Sequence, residues 1–205
     1  MSFERLYAMS VPVDYEPTAD KRFANLAKLA GQSEAEFMYD FLIGGDGRRF
    51  AIVLGSNYNE GNHDCLHDMI MHQHTVTGLS DAGAHVNMIF DGVAGSYQLI
   101  HWARDRTRGP LIPLEHLIHK QCYKNANLYG LTDRGSLEIG KRADINVIDH
   151  ERLALGPLKV FNDLPAGGNR ILQTSNGYIA TFVNGVQTRS FDKDTGARPG
   201  RLIRG

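Results

Sequence analysis

Asp81 is the residue whose type and place suggest chemistry most directly, within residues 75–86, which read TVTGLSDAGAHV. A β-prone run ends at this acid, and small residues that leave room for a ligand follow it. A carboxylate in such a place can take a proton from a water molecule and return it to a leaving group. It can equally cap the following turn by accepting hydrogen bonds from backbone N–H groups. The residues alone leave both roles open.

The elements that must position Asp81 are predicted as a strand, a helix and a second strand. Residues 50–55 (FAIVLG) form a continuous apolar run of strand length, typical of a strand covered on both faces. A helix capped by Asn62 follows, and residues 75–81 form the next strand. This order predicts a right-handed βαβ unit with parallel strands. Its catalytic residues should then lie at the carboxyl ends of the strands.

Four further helices are predicted from apolar spacing and from their first and last residues. They cover residues 20–30 before Gly31, 33–43 with a Ser33–Glu36 capping box, 95–106, and 113–130 with Pro113 in the first turn.

The sequence becomes β-rich after residue 130. Residues 136–139 and 144–148 have strand character, and Asn184-Gly185 between two β-type runs predicts a tight hairpin. We therefore expect two parts. Residues 1–130 form an α/β part, and residues 131–205 form a smaller β-rich subdomain with its tail.

Composition excludes several classes of function. The 205 residues carry a net charge of −1, from 22 basic and 23 acidic residues, which gives no electrostatic reason to expect nucleic acid or an anionic membrane as a partner. No apolar run is long enough for a transmembrane helix, and the N-terminus does not resemble a secretory signal. Two cysteines are too few for a disulfide framework. We expect a cytoplasmic protein with free thiols.

Other reactive side chains have a structural explanation beside the chemical one. His63 and His67 have the i, i+4 spacing of a zinc-protease helix, but no third ligand is evident nearby, and a solvated helix start is the favoured explanation. Arg104 can bind a substrate carboxylate or terminate a helix in solvent. The remaining candidates fit surface or packing roles: His72, His74, Cys65 and Cys122.

Several motifs together resemble the amidohydrolase superfamily. They are GLSDAGAH, a helix ending in ANLYGL, GSLEIGKRADINVID and YIATFVNGVQT. Within the superfamily the chain is most similar to the N-acyl-D-amino-acid deacylase (D-aminoacylase) branch, through NYNEGN, HWARDR, DLPAGGNR and TGARPGRLIRG. The resemblance covers nearly the whole chain.

The resemblance implies a (β/α)8 barrel with a small β-rich composite sandwich, and a divalent metal, usually zinc, at the barrel mouth. Asp81 matches the acid that ends the eighth strand, activates the metal-bound water and protonates the leaving amine; in some members this acid also contacts the metal. Residues 50–55 then match the seventh strand. His85 matches a histidine that shapes the site, and Asn59 and Glu60 lie in a motif shared with the D-aminoacylase branch.

The family's other metal ligands, which are histidines near earlier strands and a bridging residue, have no match in this sequence. We therefore expect a C-terminal segment of the barrel, inactive when isolated. The family's substrate-binding arginine soon after the acid is also missing, because no Lys or Arg lies between Asp81 and Arg104. This puts specificity for acyl-D-amino acids in question.

Three functions remain open. The first is metal-dependent cleavage of a non-peptide C–N bond, with an N-acyl amino acid as the substrate of the parent enzyme. The second is a non-catalytic partner or scaffold chain that forms a homo-oligomer or associates with an N-terminal half, because an incomplete barrel leaves strand edges unpaired. The third is hydrolysis of cyclic amides, as in hydantoinases and dihydroorotases.

Overall fold

The structure is a computed structural model that describes residues 3–45, 48–83 and 85–203. The chain divides into two compact units, residues 1–69 and 70–205. The division predicted from sequence, after residue 130, is a different one and stays a prediction. Free thiols are confirmed for both cysteines, Cys65 and Cys122. No helix in the described ranges is both long enough and apolar enough to cross a bilayer.

Among its described residues, the first unit is built from short strands and three α-helices. Strand β1 (Leu6–Ala8) pairs antiparallel with β2 (Ala51–Val53), with Leu6 opposite Val53. Helix α1 (Phe23–Ala30) follows a 3-10 turn, and α2 (Glu34–Ile43) and α3 (Asp64–Met71) complete the helices. The predicted strand in residues 50–55 is therefore confirmed in its centre. Its partner is β1 and not a following parallel strand.

Two predicted helix ends of the first unit are confirmed, whereas the helix predicted from residue 20 begins at Phe23, after a 3-10 turn at Ala19–Lys21. Gly31 ends α1 in the left-handed conformation, with φ 67°, which a residue without Cβ adopts at low cost. Ser33 and Glu36 form the capping box that begins α2. Phe23 of α1 packs edge-on against two α2 rings, Phe37 at 5.4 Å and Phe41 at 5.0 Å between centroids. These contacts join the two helices in a small aromatic core.

The helical part of the second unit has two segments. The first is α4 (Ala94–Tyr97), which continues as a π-helix (Gln98–Asp105). The second is α5 (Leu114–His119), which passes through a π-helical stretch (Lys120–Lys124) into α6 (Asn125–Leu128). Both helices were predicted from apolar spacing. Their buried residues include Leu99, Trp102 and Leu117.

The β-rich part of the second unit is antiparallel. Its strands are β3 (Ile145–Ile148), β4 (Ala154–Leu155), β5 (Lys159–Phe161), β6 (Arg170–Leu172), β7 (Ser175–Asn176), β8 (Tyr178–Val183), β9 (Val186–Ser190) and β10 (Lys193–Asp194). The largest sheet has the order β10-β9-β8-β3, and the other strands of this part form two two-stranded pairs, β4 with β7 and β5 with β6.

The hairpin at Asn184-Gly185 is confirmed, with φ values of 51° and 76° at the two turn residues. The strand predicted at 136–139 is wrong, because those residues form no strand and Leu137 is 82% exposed. The strand predicted at 75–81 is wrong for a similar reason: the segment has no strand pairing. A β-prone segment forms a strand only when it pairs with the edge of another strand. Within the described ranges, neither segment has such a partner.

All strand pairs among the described residues are antiparallel. The predicted parallel βαβ unit is therefore not present in the described chain. The mixed α/β character is confirmed, while the (β/α)8 barrel and the sandwich subdomain stay predictions.

Candidate active site

The segment that leads to Asp81 is held by side chains of the helix at 114–128. Buried Lys120 donates from Nζ to the carbonyl oxygens of Ile70 and His72 and to Oγ1 of Thr75. Asn125 Nδ2 donates to Thr77 Oγ1 at 2.9 Å. These bonds take the place of the sheet ladder that the sequence predicts. They fix the backbone up to four residues before the acid.

Asp81 itself lies in an exposed reversal of the chain. Its φ is 54°, in the left-handed region that Asp tolerates better than most residues. Gly83, with φ 98°, and His85, with φ 44°, continue the reversal. The expected sharp turn after the acid is confirmed in this form, and Asp81 is open to solvent.

Asp91 is a second acid beside Asp81 that the sequence analysis missed. The pKa of Asp91 is raised, first because the group is partly desolvated and second because of the Asp81 charge. A Cβ on the neighbouring Gly92 would lie 3.6 Å from Cβ of Ala82, so the two turns are adjacent. Two carboxylates with different environments can play the roles of acid and base. The available signal was an acid four residues before the helix predicted at 95–106.

His85 has a local backbone role in the turn. Its carbonyl oxygen accepts hydrogen bonds from the N–H groups of Met88 and Ile89, at 2.7 Å and 3.0 Å. The residue is exposed. Its part in shaping a substrate site stays a prediction.

Arg104 is engaged by other protein groups. Its guanidinium donates to both carboxylate oxygens of Asp105, at 2.6 and 2.9 Å, and to Leu153 O at 2.8 Å. It also donates to the carbonyl oxygens of His150 and Glu151. Every N–H donor of the guanidinium therefore has an acceptor. Arg104 fixes the turn before β4, and binding a substrate carboxylate would require it to leave these partners.

Asn59 and Glu60 lie together in the first unit, directly after a 3-10 turn at Ser56–Tyr58. Both are exposed, and Asn59 Oδ1 accepts a hydrogen bond from Arg5 at 3.2 Å. Asp81, His85 and Arg104 belong to the second unit. The substrate-site role of Asn59 and Glu60 stays a prediction.

The first unit contains a buried pair with metal-ligand chemistry, Glu16 and His63. A carboxylate oxygen of Glu16 lies within 4.8 Å of a ring nitrogen of His63, and Glu16 Oε1 accepts the backbone N–H of His63 at 2.8 Å. Tyr58 packs edge-on against the His63 ring, with centroids 4.8 Å apart. His63 therefore contacts a carboxylate from a distant part of the sequence. Histidine and glutamate are ordinary zinc ligands.

The remaining candidates take ordinary roles. Burial raises the pKa of the Cys122 thiol, which disfavours a nucleophilic thiolate. Cys65 donates its S–H to Asn57 O at 3.4 Å. His72 and His74 are exposed neighbours in the loop after α3, as the sequence predicted.

Comparison with known proteins decides the family. The profile described as "Amidohydrolase family" matches residues 7–189, which is most of the chain. The chain belongs to the amidohydrolase family. The predicted superfamily is thereby confirmed, and the region between residues 75 and 92 lies inside the matched range.

One relative supports the D-aminoacylase branch within the amidohydrolase family. N-acyl-D-aspartate deacylase of Alcaligenes xylosoxydans xylosoxydans is 34% identical over 93 residues. The alignment covers 45% of this chain and 17% of the relative, so the chain matches well under two thirds of that enzyme. No solved structure matches the chain significantly.

Proposed function

We propose that this amidohydrolase chain takes part in hydrolysis of the amide bond of an N-acyl-D-amino acid, with Asp81 as the group that moves the proton. The observation that carries the proposal is the family match over residues 7–189, which includes an exposed carboxylate in a tight turn. The relative named N-acyl-D-aspartate deacylase supports this substrate class.

The reaction needs one proton transfer in each direction. Water attacks the acyl carbon and loses a proton, the C–N bond breaks, and the leaving amine takes up a proton. An exposed carboxylate can accept the first proton and donate the second. Asp91 would supply a second carboxyl group beside that of Asp81. Its pKa is raised first by desolvation and second by the charge of Asp81. Both lie in one loop system of the second unit.

The family is typically metal-dependent, and a bound divalent ion would polarise the acyl oxygen and lower the pKa of water. Within the described residues, Asp81 belongs to no group of three or more converging His, Cys, Asp or Glu ligands. The surroundings of Asp81 therefore do not fit a metal without further ligands. Glu16 and His63 supply ligand chemistry in the first unit. We propose zinc as the metal of the parent enzyme, and no step here depends on it.

The decisive experiment measures turnover in the full protein that its reading frame encodes and in the 205-residue chain, with zinc added and with zinc chelated. Substrates are N-acetyl-D-aspartate, N-acetyl-D-leucine and their L enantiomers. Asp81→Asn in the full protein should lower kcat by about 10²–10⁴-fold, the usual contribution of a positioned acid–base group. Asp68→Asn is the matched control, because Asp68 is an exposed carboxylate on α3.

Three outcomes would each count against a part of the proposal. Equal turnover by Asp81→Asn and the parent would remove Asp81 from the chemistry. Faster hydrolysis of hydantoin or dihydrouracil than of the N-acetyl amino acids would favour the cyclic-amide alternative. Turnover by the zinc-loaded 205-residue chain would contradict the expectation that this segment is inactive by itself.

A second candidate function is a partner chain without catalysis of its own. Large apolar side chains that are mostly exposed favour it, among them Leu79, Met88, Leu137 and Ile139. Exposed apolar side chains of this kind mark an interaction site when they form one contiguous patch. Light scattering that shows a dimer, or a stable complex with a separate N-terminal half, would support this candidate. A monomer at high concentration would contradict it.

A further inference from the structure

Lys120 is the most deeply buried cation of the second unit's helical part, with 1% of its surface exposed. Its ammonium group donates three hydrogen bonds, to Ile70 O, to His72 O at 3.1 Å and to Thr75 Oγ1. An ammonium has three donors, so all of them are used. The acceptors are neutral groups of one short segment, residues 70–75.

Burying a cation among neutral acceptors is costly, since the charge loses its hydration. The cost shows in the pKa of Lys120, which is lowered first by desolvation and second by the nearby charge of Lys124. An apolar residue would fill the same volume without this cost. The hydrogen bonds to the segment are therefore the feature that an apolar residue could not replace.

Neighbouring side chains on the same helix extend the contact in both directions. His116 Nε2 lies 3.1 Å from Ile70 O, and Lys124 Nζ donates to Gln73 O. Residues 116, 120 and 124 are spaced by four, which places them on one face of a helix. Asn125 then reaches Thr77. The row of bonds thus follows the segment from residue 70 to residue 77 and stops four residues before Asp81.

We propose that Lys120 is a positioning residue for Asp81, which it fixes by holding residues 70–75 against the helix at 114–128. The functional half of this inference rests on the proposed role of Asp81, whereas the structural half does not. Lys120 touches no reacting atom. Its loss should lower kcat through a displaced carboxylate and leave KM nearly unchanged, because substrate-binding groups are not altered.

The first test removes one acceptor and leaves the lysine in place. Thr75→Val deletes the hydroxyl that Lys120 binds, and Thr75→Ser retains it. Thr75→Val loses the bond from Lys120 and also the bond that the hydroxyl donates to His72 O at 2.9 Å. Hydrogen exchange of the peptide 71–81 should therefore accelerate by at least about tenfold, the effect of losing one hydrogen bond to a charged group. Thr75→Ser should exchange like the parent. Equal exchange in both variants would overturn the inference.

The second test removes the cation. Lys120→Met should accelerate exchange in the same peptide more than Thr75→Val does, while Lys193→Met, at an exposed strand lysine, should not change it. If Lys120→Met does not fold, the comparison of Thr75→Val with Thr75→Ser still tests the inference.

Kinetics of the full protein separate the two halves of the inference. Reduced kcat with unchanged KM in Thr75→Val, rescued in Thr75→Ser, is the expected result. Faster exchange without any loss of kcat would refute the positioning role. Full turnover by Asp81→Asn would instead refute the proposed function and leave the hydrogen bonds of Lys120 in place.

Discussion

Residues 75–81 and the β8–β9 hairpin (178–190) have similar strand character in sequence and different structures. The hairpin strands are paired by backbone hydrogen bonds, with Val183 opposite Val186 and Thr181 opposite Arg189. The segment 70–81 contains no strand after α3 and is held by side chains of a helix. The first region is stabilised by its own turn, and the second by a lysine some fifty residues away in sequence.

The difference shows what makes a β-prone sequence into a strand. Asn184 and Gly185 adopt positive φ, so the two hairpin strands are brought together by adjacent residues. The turn is also anchored, since Gly185 N donates to Ala143 O and Asn184 N to Asp144 Oδ1. Residues 75–81 have no such turn and depend on a distant partner. A functional loop benefits from that arrangement, because its end can remain exposed.

The largest expected effect comes from breaking the side-chain support. Lys120→Met should lower the free energy of unfolding by about 3 kcal/mol, because two carbonyls and a hydroxyl at a partly buried site lose a charged donor. Urea denaturation followed by circular dichroism measures the change. Lys193→Met, at an exposed lysine of β10, should stay within about 0.5 kcal/mol of the parent. If both variants behave alike, residues 70–77 do not depend on Lys120.

A smaller effect is expected from the turn that supports the hairpin. Gly185→Ala should cost about 1 kcal/mol, because φ 76° is unfavourable for a residue with a Cβ. The added methyl group itself meets only Cβ of Ala143, at 4.0 Å, so the cost is conformational. Gly200→Ala is the control, since its Cβ would meet nothing within 4 Å. An unchanged urea midpoint for Gly185→Ala would show that the turn does not stabilise the hairpin.

A gain in stability is expected beside Asp81. The folded-state pKa of Asp91 is raised above 3.8, so the ionised group destabilises the fold at neutral pH. This penalty should disappear as the pH falls below the pKa that Asp91 has in the unfolded chain. Asp91→Asn should therefore stabilise the protein at pH 7, by less than about 1 kcal/mol because the group is partly solvated. Thermal unfolding at pH 7 and about pH 3 measures it; a loss of stability at pH 7 would contradict the proximity of the two acids.

The smallest effect is expected at β10, next to the hairpin. Arg198 holds the pKa of Asp194 at about 2, below the usual 3.8, with 2.6 Å between Arg198 Nη2 and Asp194 Oδ2. A carboxylate whose pKa is lower in the folded chain stabilises the fold at pH values above its pKa in the unfolded chain. This contribution is lost as the pH falls through the pKa of the folded state. Asp194→Asn should slightly lower the thermal midpoint at pH 6 and leave it unchanged below about pH 2. An equal shift at both pH values would exclude the ion pair as its cause.

Much of the fold was predictable where the determining residues are neighbours in sequence. The capping box at Ser33, the stop at Gly31 and the turn at Asn184-Gly185 each act within a few residues. The pairing of β1 with β2 was not predictable, because some forty residues separate the strands. The short strand character of residues 136–139 was misleading, because no partner strand reaches them.

The candidate site was predictable in part. The type and turn position of Asp81 followed from its neighbours, and the structure places it in a left-handed turn. Asp91 and Lys120 were missed, since an acid before a helix and a lysine within one are common and usually solvated. The pairing of Glu16 with His63 joins residues 47 positions apart. No local spacing rule could have found it.

The sequence by itself determined the family of this protein, its helix ends, its hairpin and an acid followed by a sharp turn. These depend on residue types at short spacing, which set backbone preferences and motifs directly. Only the tertiary structure decided that TVTGLSD is not a sheet strand and that Lys120 holds the segment before it. The reason is physical: a strand needs an available neighbouring edge, and a buried ammonium needs several acceptors at once. Both conditions are met, or fail, only when distant parts of the chain come together.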